Sequence, residues 1–219
     1  MTLYNYCFDL FKVGPSNQFA HAASISTAES PGQDFNPLVI CGEVALGKTH
    51  LLNAIGLKVA SLYPDFNIIC VSAEKYMHDL IDHVHLGKVQ LFREKYENID
   101  CLLIDDIQFI AGKEKTQNKL FHIFSSLYVR KKQIVVTSDI YPMCIPNLDG
   151  RLCSMFNNGL IADLQQPDDM EIKVAMVKRT ASEIGLTLSN DITENIALNA
   201  QTAKEMQLGL ILYLIIARS

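Results

Sequence analysis

The sequence predicts a three-layer α/β domain built on a parallel sheet, followed by a small all-helical segment. Three observations carry this reading. Apolar runs of strand length alternate with longer stretches of helical period. The runs are continuously apolar rather than alternating, as strands covered on both faces require. After Gln165-Gln166-Pro167 the strand-like runs stop and helical periodicity alone remains. The expected division is an α/β core over 1–164 and a helical lid over 165–219.

The elements follow in order. Leu38-Val-Ile-Cys41 is a short apolar run ending in glycine, and Asn67 to Ser72 is a second, placed after a Tyr63-Pro64-Asp65 turn signal. Cys101-Leu-Leu-Ile104 is stopped by two aspartates, and Gln133 to Thr137 is the fourth run. Between them, Thr49 to Ala60 gathers Leu51, Leu52, Ile55 and Val59 on one helical face. Tyr76 to Val84 and Lys88 to Tyr96 form two shorter amphipathic pieces broken at Gly87, and Lys119 to Val129 carries Leu120, Ile123, Phe124 and Leu127 at helical spacing. In the C-terminal part, Asp168 to Ser182, Asp191 to Ala200 and a segment from about Ala203 onward read as helices.

Composition bounds the function. With 219 residues, 49% of them apolar, the chain can bury a substantial core. A formal charge of −5 argues against a dedicated duplex-binding module. No apolar stretch is long enough to span a bilayer, and the first residues lack the basic-then-apolar layout of a signal peptide. The six cysteines are scattered without metal-ligand spacing, so they read as free thiols, those at 41, 70 and 101 acting as small hydrophobes in strand-like runs. The expected location is the cytoplasm.

One motif carries chemistry. Gly42-Glu-Val-Ala-Leu-Gly47-Lys48-Thr49 fits G-x-x-x-x-G-K-[ST], leaves a strand and opens a helix. In that setting the backbone N–H groups of the loop face inward as an anion nest, and the helix N-terminus adds its positive dipole end. Gly42, Val44, Ala45, Leu46, Gly47, Lys48, Thr49 and His50 are thus the expected phosphate-binding set, with Lys48 reaching the β- and γ-phosphates. Thr49 and Asp105 would ligate Mg²⁺, while Asp106 would orient or deprotonate the attacking water. Asp105 and Asp106 end an apolar strand, where a doubly wound sheet places its ligand chemistry. Thr137-Ser138-Asp139 ends the next strand and puts a polar side chain, with Asp139 as a further catalytic candidate, beside the γ-phosphate. Together these features point to a P-loop nucleoside triphosphatase.

Several stretches closely resemble the AAA+ domains of the bacterial DnaA initiator family. They are Phe8 to Ala23 with Ser-Asn-Gln-Phe-Ala-His-Ala at its centre, Gly47-Lys-Thr-His-Leu-Leu-Asn-Ala-Ile-Gly56, Phe92-Arg-Glu-Lys-Tyr96, Leu102-Leu-Ile-Asp-Asp-Ile-Gln-Phe-Ile-Ala-Gly-Lys113 and Gly159-Leu-Ile-Ala-Asp163. The resemblance implies an ATP-dependent protein that self-assembles at the replication origin, melts duplex and holds single-stranded DNA. By the same resemblance Val13 and Asn17 help to enclose the adenine, and Ile81, Lys113, Lys115 and Thr116 contact single-stranded DNA. From the residues alone, Lys113, Lys115 and Lys119 read rather as an ordinary solvated helix face, and it is the resemblance that turns the reading toward DNA. The net negative charge then confines any DNA contact to this local patch.

Departures from the family pattern set further expectations. The phosphate loop usually has glycines where this chain has Glu43 and Ala45, which implies weakened binding. The family's Arg-Leu-x-Ser-Arg-Phe supplies an arginine to the neighbouring subunit's ATP, whereas this chain reads Arg151-Leu-Cys-Ser-Met155-Phe156. In the lid, Lys204 stands where the family has a nucleotide-sensing arginine, and lysine lacks the planar fork that grips phosphate. The run Leu210 to Ala217 is apolar all round, reading as a buried lid helix, a partner surface or a degenerate terminus. The helix-turn-helix that reads duplex origin sites is not within these 219 residues, so no sequence-specific duplex binding is expected of them. The alternative function is a non-catalytic adaptor that binds nucleotide and docks on a full-length initiator.

Overall fold

The computed structural model describes residues 6–217. Strands β1 (Leu38–Gly42), β2 (Ile68–Ser72), β3 (Cys101–Asp105), β4 (Gln133–Ser138) and β5 (Leu160–Leu164) form one parallel sheet in the order β2-β3-β4-β1-β5. The fold is therefore the expected α/β architecture. Successive residues of the inner strands feed opposite faces, as a period of two demands. Leu38, Ile40, Leu103 and Val135 join one apolar cluster, whereas Val39, Cys41, Leu102, Ile104 and Val136 join the other. Continuous apolarity in β1, β3 and β4 is thus explained by helices on both sides. β2 is an edge strand and less buried, so Cys70 is exposed there while Cys41 and Cys101 are buried. Burial pushes the Cys41 thiol up to about 12, which leaves it protonated and unreactive.

Helices α1 (Gln18–Glu29), α2 (Lys48–Leu62), α3 (Ala73–His85), α4 (Val89–Glu97), α5 (Glu114–Val129) and α6 (Gly150–Asn158) surround the sheet. The Ser72 hydroxyl caps α3 by accepting from the Lys75 N–H at 3.2 Å, and Asp149 caps α6 through the Arg151 N–H at 2.8 Å. The α3–α4 pair, turning at Gly87, is held by Tyr76, Phe92 and Tyr96, whose ring centroids lie 4.8 to 5.4 Å apart. Three elements go beyond the sequence expectation, one of them the nine-residue α6. α1 buries small residues, Ala20, Ala23, Ser24, Thr27 and Ala28, and so lacks the large apolar stripe that announces a helix. In β5, Asp163 cuts the unbroken apolar run to Leu160-Ile161-Ala162, too little to stand out.

α7 (Met170–Glu183), α8 (Asn190–Asn199) and α9 (Ala203–Ala217) pack on one another. Asp169 caps α7 through the Glu171 N–H at 2.7 Å, and Ser189 caps α8. Ile172, Met176 and Val177 of α7 belong to the same apolar cluster as Phe11, Leu46 and the inner sheet. α9 corrects the expectation of a helix buried all round. Met206 and Leu210 are buried, but Leu208, Ile211, Leu212 and Ile215 are about half exposed or more, because α9 meets α7 and α8 through one face.

Candidate nucleotide site

β1, β4 and β3 are adjacent, so their carboxyl ends bring the phosphate loop, Asp139 and the Asp105-Asp106 pair to one crevice. The loop leaves β1 at Gly42 (φ 149°) and enters α2 through Gly47 (φ 103°). A Cβ at Gly47 would lie 2.8 Å from Phe11 and 2.9 Å from Arg179, and one at Gly42 would lie 2.5 Å from the Leu164 carbonyl oxygen. Both positions therefore require glycine for conformation and for space. α2 starts at Lys48, so the N–H groups of Lys48, Thr49 and His50 have no acceptor within the helix, and all three residues line the cleft. Val44, Ala45, Gly47, Lys48, Thr49, His50, Asp106, Asp139 and Arg179 line a cleft of about 170 Å³.

The charged groups are tightly tied. The Lys48 Nζ lies 2.6 Å from Asp139 Oδ1 and donates to the Glu43 carbonyl at 2.8 Å, with its side chain only 6% exposed. Thr49 Oγ1 donates to Asp105 Oδ2 at 2.8 Å, and Thr137 Oγ1 donates to Asp105 Oδ1 at 2.5 Å while accepting from the Asp106 N–H. Gln108 Nε2 reaches both Asp106 Oδ1 (3.1 Å) and Asp139 Oδ2 (3.0 Å). Burial, reinforced by the Asp105 charge, holds the Asp106 carboxyl above the usual carboxylate range, against the Gln108 hydrogen bond. A raised carboxylate is a stronger base than an ordinary one.

Sequence-expected residues divide into those that converge here and those that do not. Gly42, Val44, Ala45, Gly47, Lys48, Thr49, His50, Asp105, Asp106 and Asp139 all meet at the crevice. The His50 ring is engaged elsewhere, its Nε2 bonded to the Cys7 carbonyl and its face against Phe11. Leu46 and Asn17 line an adjoining hollow with Leu10, Phe11, Ile172 and Met176. There Asn17 braces the turn, accepting from the Gly14 N–H and donating to the Lys12 carbonyl. Val13 is 42% exposed and lines neither space. Lys204 is exposed in the first turn of α9 and is likewise outside both. The Glu43 carboxylate turns away from the loop interior, accepting from Gln166 Nε2 at 2.7 Å.

The intersubunit and DNA candidates lie apart. Met155 packs against the core beneath α6, where an apolar side chain is at home. Arg151 is pinned by Asp149, which it meets at 2.7 and 3.0 Å, and its guanidinium lies 4.5 Å from the Phe121 ring centre. Lys113 and Lys115 are exposed at the start of α5 and Ile81 is 41% exposed on α3, whereas Thr116 is buried. Two contributors went unread in the sequence, Gln108 and Arg179. Gln108 carried a usable signal, being two residues beyond Asp106. Arg179 carried none, since Lys178-Arg179 in an amphipathic helix reads as an ordinary polar face.

Comparison with known proteins gives the family. The model of the bacterial DnaA ATPase domain matches residues 3–163. The chromosomal replication initiator protein DnaA of Geobacter sulfurreducens is 51% identical over 197 residues, covering 90% of this chain and 44% of that protein. The chain thus spans less than half the length of the curated relatives it matches. Domain III of the Thermotoga maritima replication initiation protein DnaA superposes with a TM-score of 0.86 at 38% identity, covering 98% of this chain and 89% of that one. A replication initiator DnaA bound to AMPPCP and single-stranded DNA superposes with a TM-score of 0.79 at 32% identity, covering 95% of this chain and 64% of that one. Phosphate loop, paired aspartates and sequence identity agree: the chain belongs to the bacterial DnaA ATPase domain family.

Proposed function

We propose that this chain is the ATP-binding core of a chromosomal replication initiator, which assembles at the origin, opens DNA and holds single strands. The observation that carries the reading is the convergence of Lys48, Thr49, Asp105, Asp106 and Asp139 on the crevice beside the phosphate loop. Phosphate binding follows from the N–H groups at the start of α2 and from Lys48, whose ammonium exchanges Asp139 for the incoming anion. The hydroxyl of Thr49 and the carboxylate of Asp105, 2.8 Å apart, are hard oxygen donors that suit Mg²⁺ and would hold it. When bound, the ion neutralises charge on the phosphate oxygens. Asp106, held by Gln108, takes the proton of the attacking water. The base falls to the apolar hollow beside the loop, walled by Phe11, Leu46, Ile172 and Met176, which at about 30 Å³ is smaller than an adenine and opens to admit one.

Turnover by assembled copies is slow, because an arginine finger accounts for about 10³–10⁵ in rate and Met155 offers no cation. Single-strand contacts fall to Ile81, Lys113 and Lys115, which are exposed; that such a fold can hold single-stranded DNA is supported by the strand-bound relative. The scattered free thiols accord with a reducing, cytoplasmic setting. The adaptor alternative is not favoured, since the relatives are initiators.

The test is a thermal unfolding series with and without ATP·Mg²⁺ on the native chain and on Lys48→Ala. A ligand at a hundred times its Kd stabilises by about 2.7 kcal/mol, so a clear upward shift is expected for the native chain and none for Lys48→Ala. Equal behaviour of the two proteins overturns the reading.

A further inference from the structure

Lys204 was the expected lid cation, yet it is exposed in the first turn of α9 and outside the cleft. The lid's cation at the cleft is Arg179, on α7. It lines both the phosphate cleft and the adjoining apolar hollow, and so stands where the two spaces join. Its Nη2 donates to the Ala45 carbonyl at 3.2 Å, and its Nη1 lies 2.9 Å from where a Gly47 Cβ would be. Its charge also depresses the pKa of His50, the third residue of α2, second to burial in lowering it.

We propose that Arg179 is this chain's lid-borne nucleotide ligand, a clamp on the phosphates nearest the ribose that ties lid to phosphate loop. The proposal rests on the nucleotide reading above and adds to it which lid residue binds and which part of the ligand it grips. Position decides the part. A nucleotide with its base in the hollow and its terminal phosphate at Lys48 and Asp139 must pass its proximal phosphates through the junction that Arg179 lines. The planar guanidinium can keep one N–H on the Ala45 carbonyl and turn another onto a phosphate oxygen, which the single ammonium of lysine cannot do with the same geometry. Arg179 therefore strengthens ATP and ADP binding alike, whereas a sensor of the terminal phosphate would favour ATP.

Isothermal titration of ATP·Mg²⁺ and ADP·Mg²⁺ against the native chain, Arg179→Ala, Arg179→Lys, Lys204→Ala and Lys48→Ala tests this, with exposed Lys178→Ala as the control for surface charge. Loss of a charge-assisted hydrogen bond implies at least about a tenfold rise in Kd for Arg179→Ala, equal for the two nucleotides within twofold. Arg179→Lys, which keeps the stem and the charge if the alanine variant folds poorly, is expected to lose affinity to an intermediate degree. Binding by Arg179→Ala within twofold of native overturns the proposal, and so does a loss confined to ATP. A loss in Lys204→Ala that exceeds the loss in Arg179→Ala also overturns it, returning the role to α9. If Lys48→Ala abolishes binding while Arg179→Ala keeps it, this proposal fails alone. A native chain that binds neither nucleotide overturns both this proposal and the site reading.

Discussion

Ala45 sits in the phosphate loop with φ 69°, the left-handed region. A side chain there costs about 1–2 kcal/mol relative to glycine, while glycine returns about 0.4–1 kcal/mol of that through the freer unfolded chain. The first term is larger, so Ala45→Gly should stabilise the chain by about 0.5–1 kcal/mol. For a domain of this size about 1 kcal/mol raises Tm by about 2–4 °C. Urea unfolding of the two proteins measures it, and an unchanged or lower stability would show that the loop does not hold this φ in solution. Asp106 shares the left-handed region at φ 57°, where aspartate is better tolerated. The site was legible in the sequence where spacing and strand ends dictate chemistry, at Gly42 to Thr49 and at Asp105-Asp106. It was illegible where the partner comes from a distant element. Arg179 reaches Ala45 across 134 positions, and no local pattern encodes that contact.

Between residue and molecule, the basic loop before α5 and the start of α6 form one hydrogen-bonded unit. Gln117 is buried, its Oε1 accepting from the Asp149 N–H at 2.5 Å and its Nε2 donating to the Asn147 carbonyl at 3.0 Å. The Gly112 N–H donates to that same Asn147 carbonyl. One side chain thus joins the element that carries Lys113 and Lys115 to the one that carries Arg151. Gln117→Ala leaves a backbone donor without its partner, costing about 1–3 kcal/mol, and loosens the loop. Denaturant unfolding should show that loss, and hydrogen exchange should quicken at residues 112–115 and 147–151 together; faster exchange in one segment alone would refute the coupling. The same scale explains which elements the sequence announced. β1, β3 and β4 are buried on both faces and so appear as unbroken apolar runs. Edge strand β5 needs less apolar surface, and α1 is chosen for close approach by small side chains, so neither carries a strong periodic signal.

At the scale of the molecule, one apolar cluster runs from Phe11 through the sheet to α7, so the N-terminal segment, core and lid share stability. Two histidines pack against its Phe11. Phe11 is stacked on His21 and tilted against His50, with ring centroids 5.6 and 5.3 Å away. His50 Nδ1 and His21 Nε2 are buried and have no hydrogen-bond partner, so a second proton on either ring would point at nothing. Burial accordingly pushes both imidazoles below the ordinary value of 6.5, against the Phe8 and Cys7 carbonyls, with the Arg179 charge adding at His50. The unfolded chain therefore binds more protons than the folded one between the folded pKa values and 6.5, and stability must fall as pH drops through that window. The contribution is fully present above 6.5 and lost once pH is below the folded values. Asp79, Asp100 and Asp149 are held below 3.8, so their stabilisation persists until far more acidic conditions. Asp106, held above 3.8, acts with the opposite sign, since its protonation relieves the folded state as pH falls through its folded value. Thermal unfolding between pH 8 and 5 should show a plateau above about 7 and a decline beginning near 6.5. Replacing both histidines with glutamine, which cannot titrate, should flatten that decline even if overall stability changes. A slope that survives the double substitution would move the linkage to other groups.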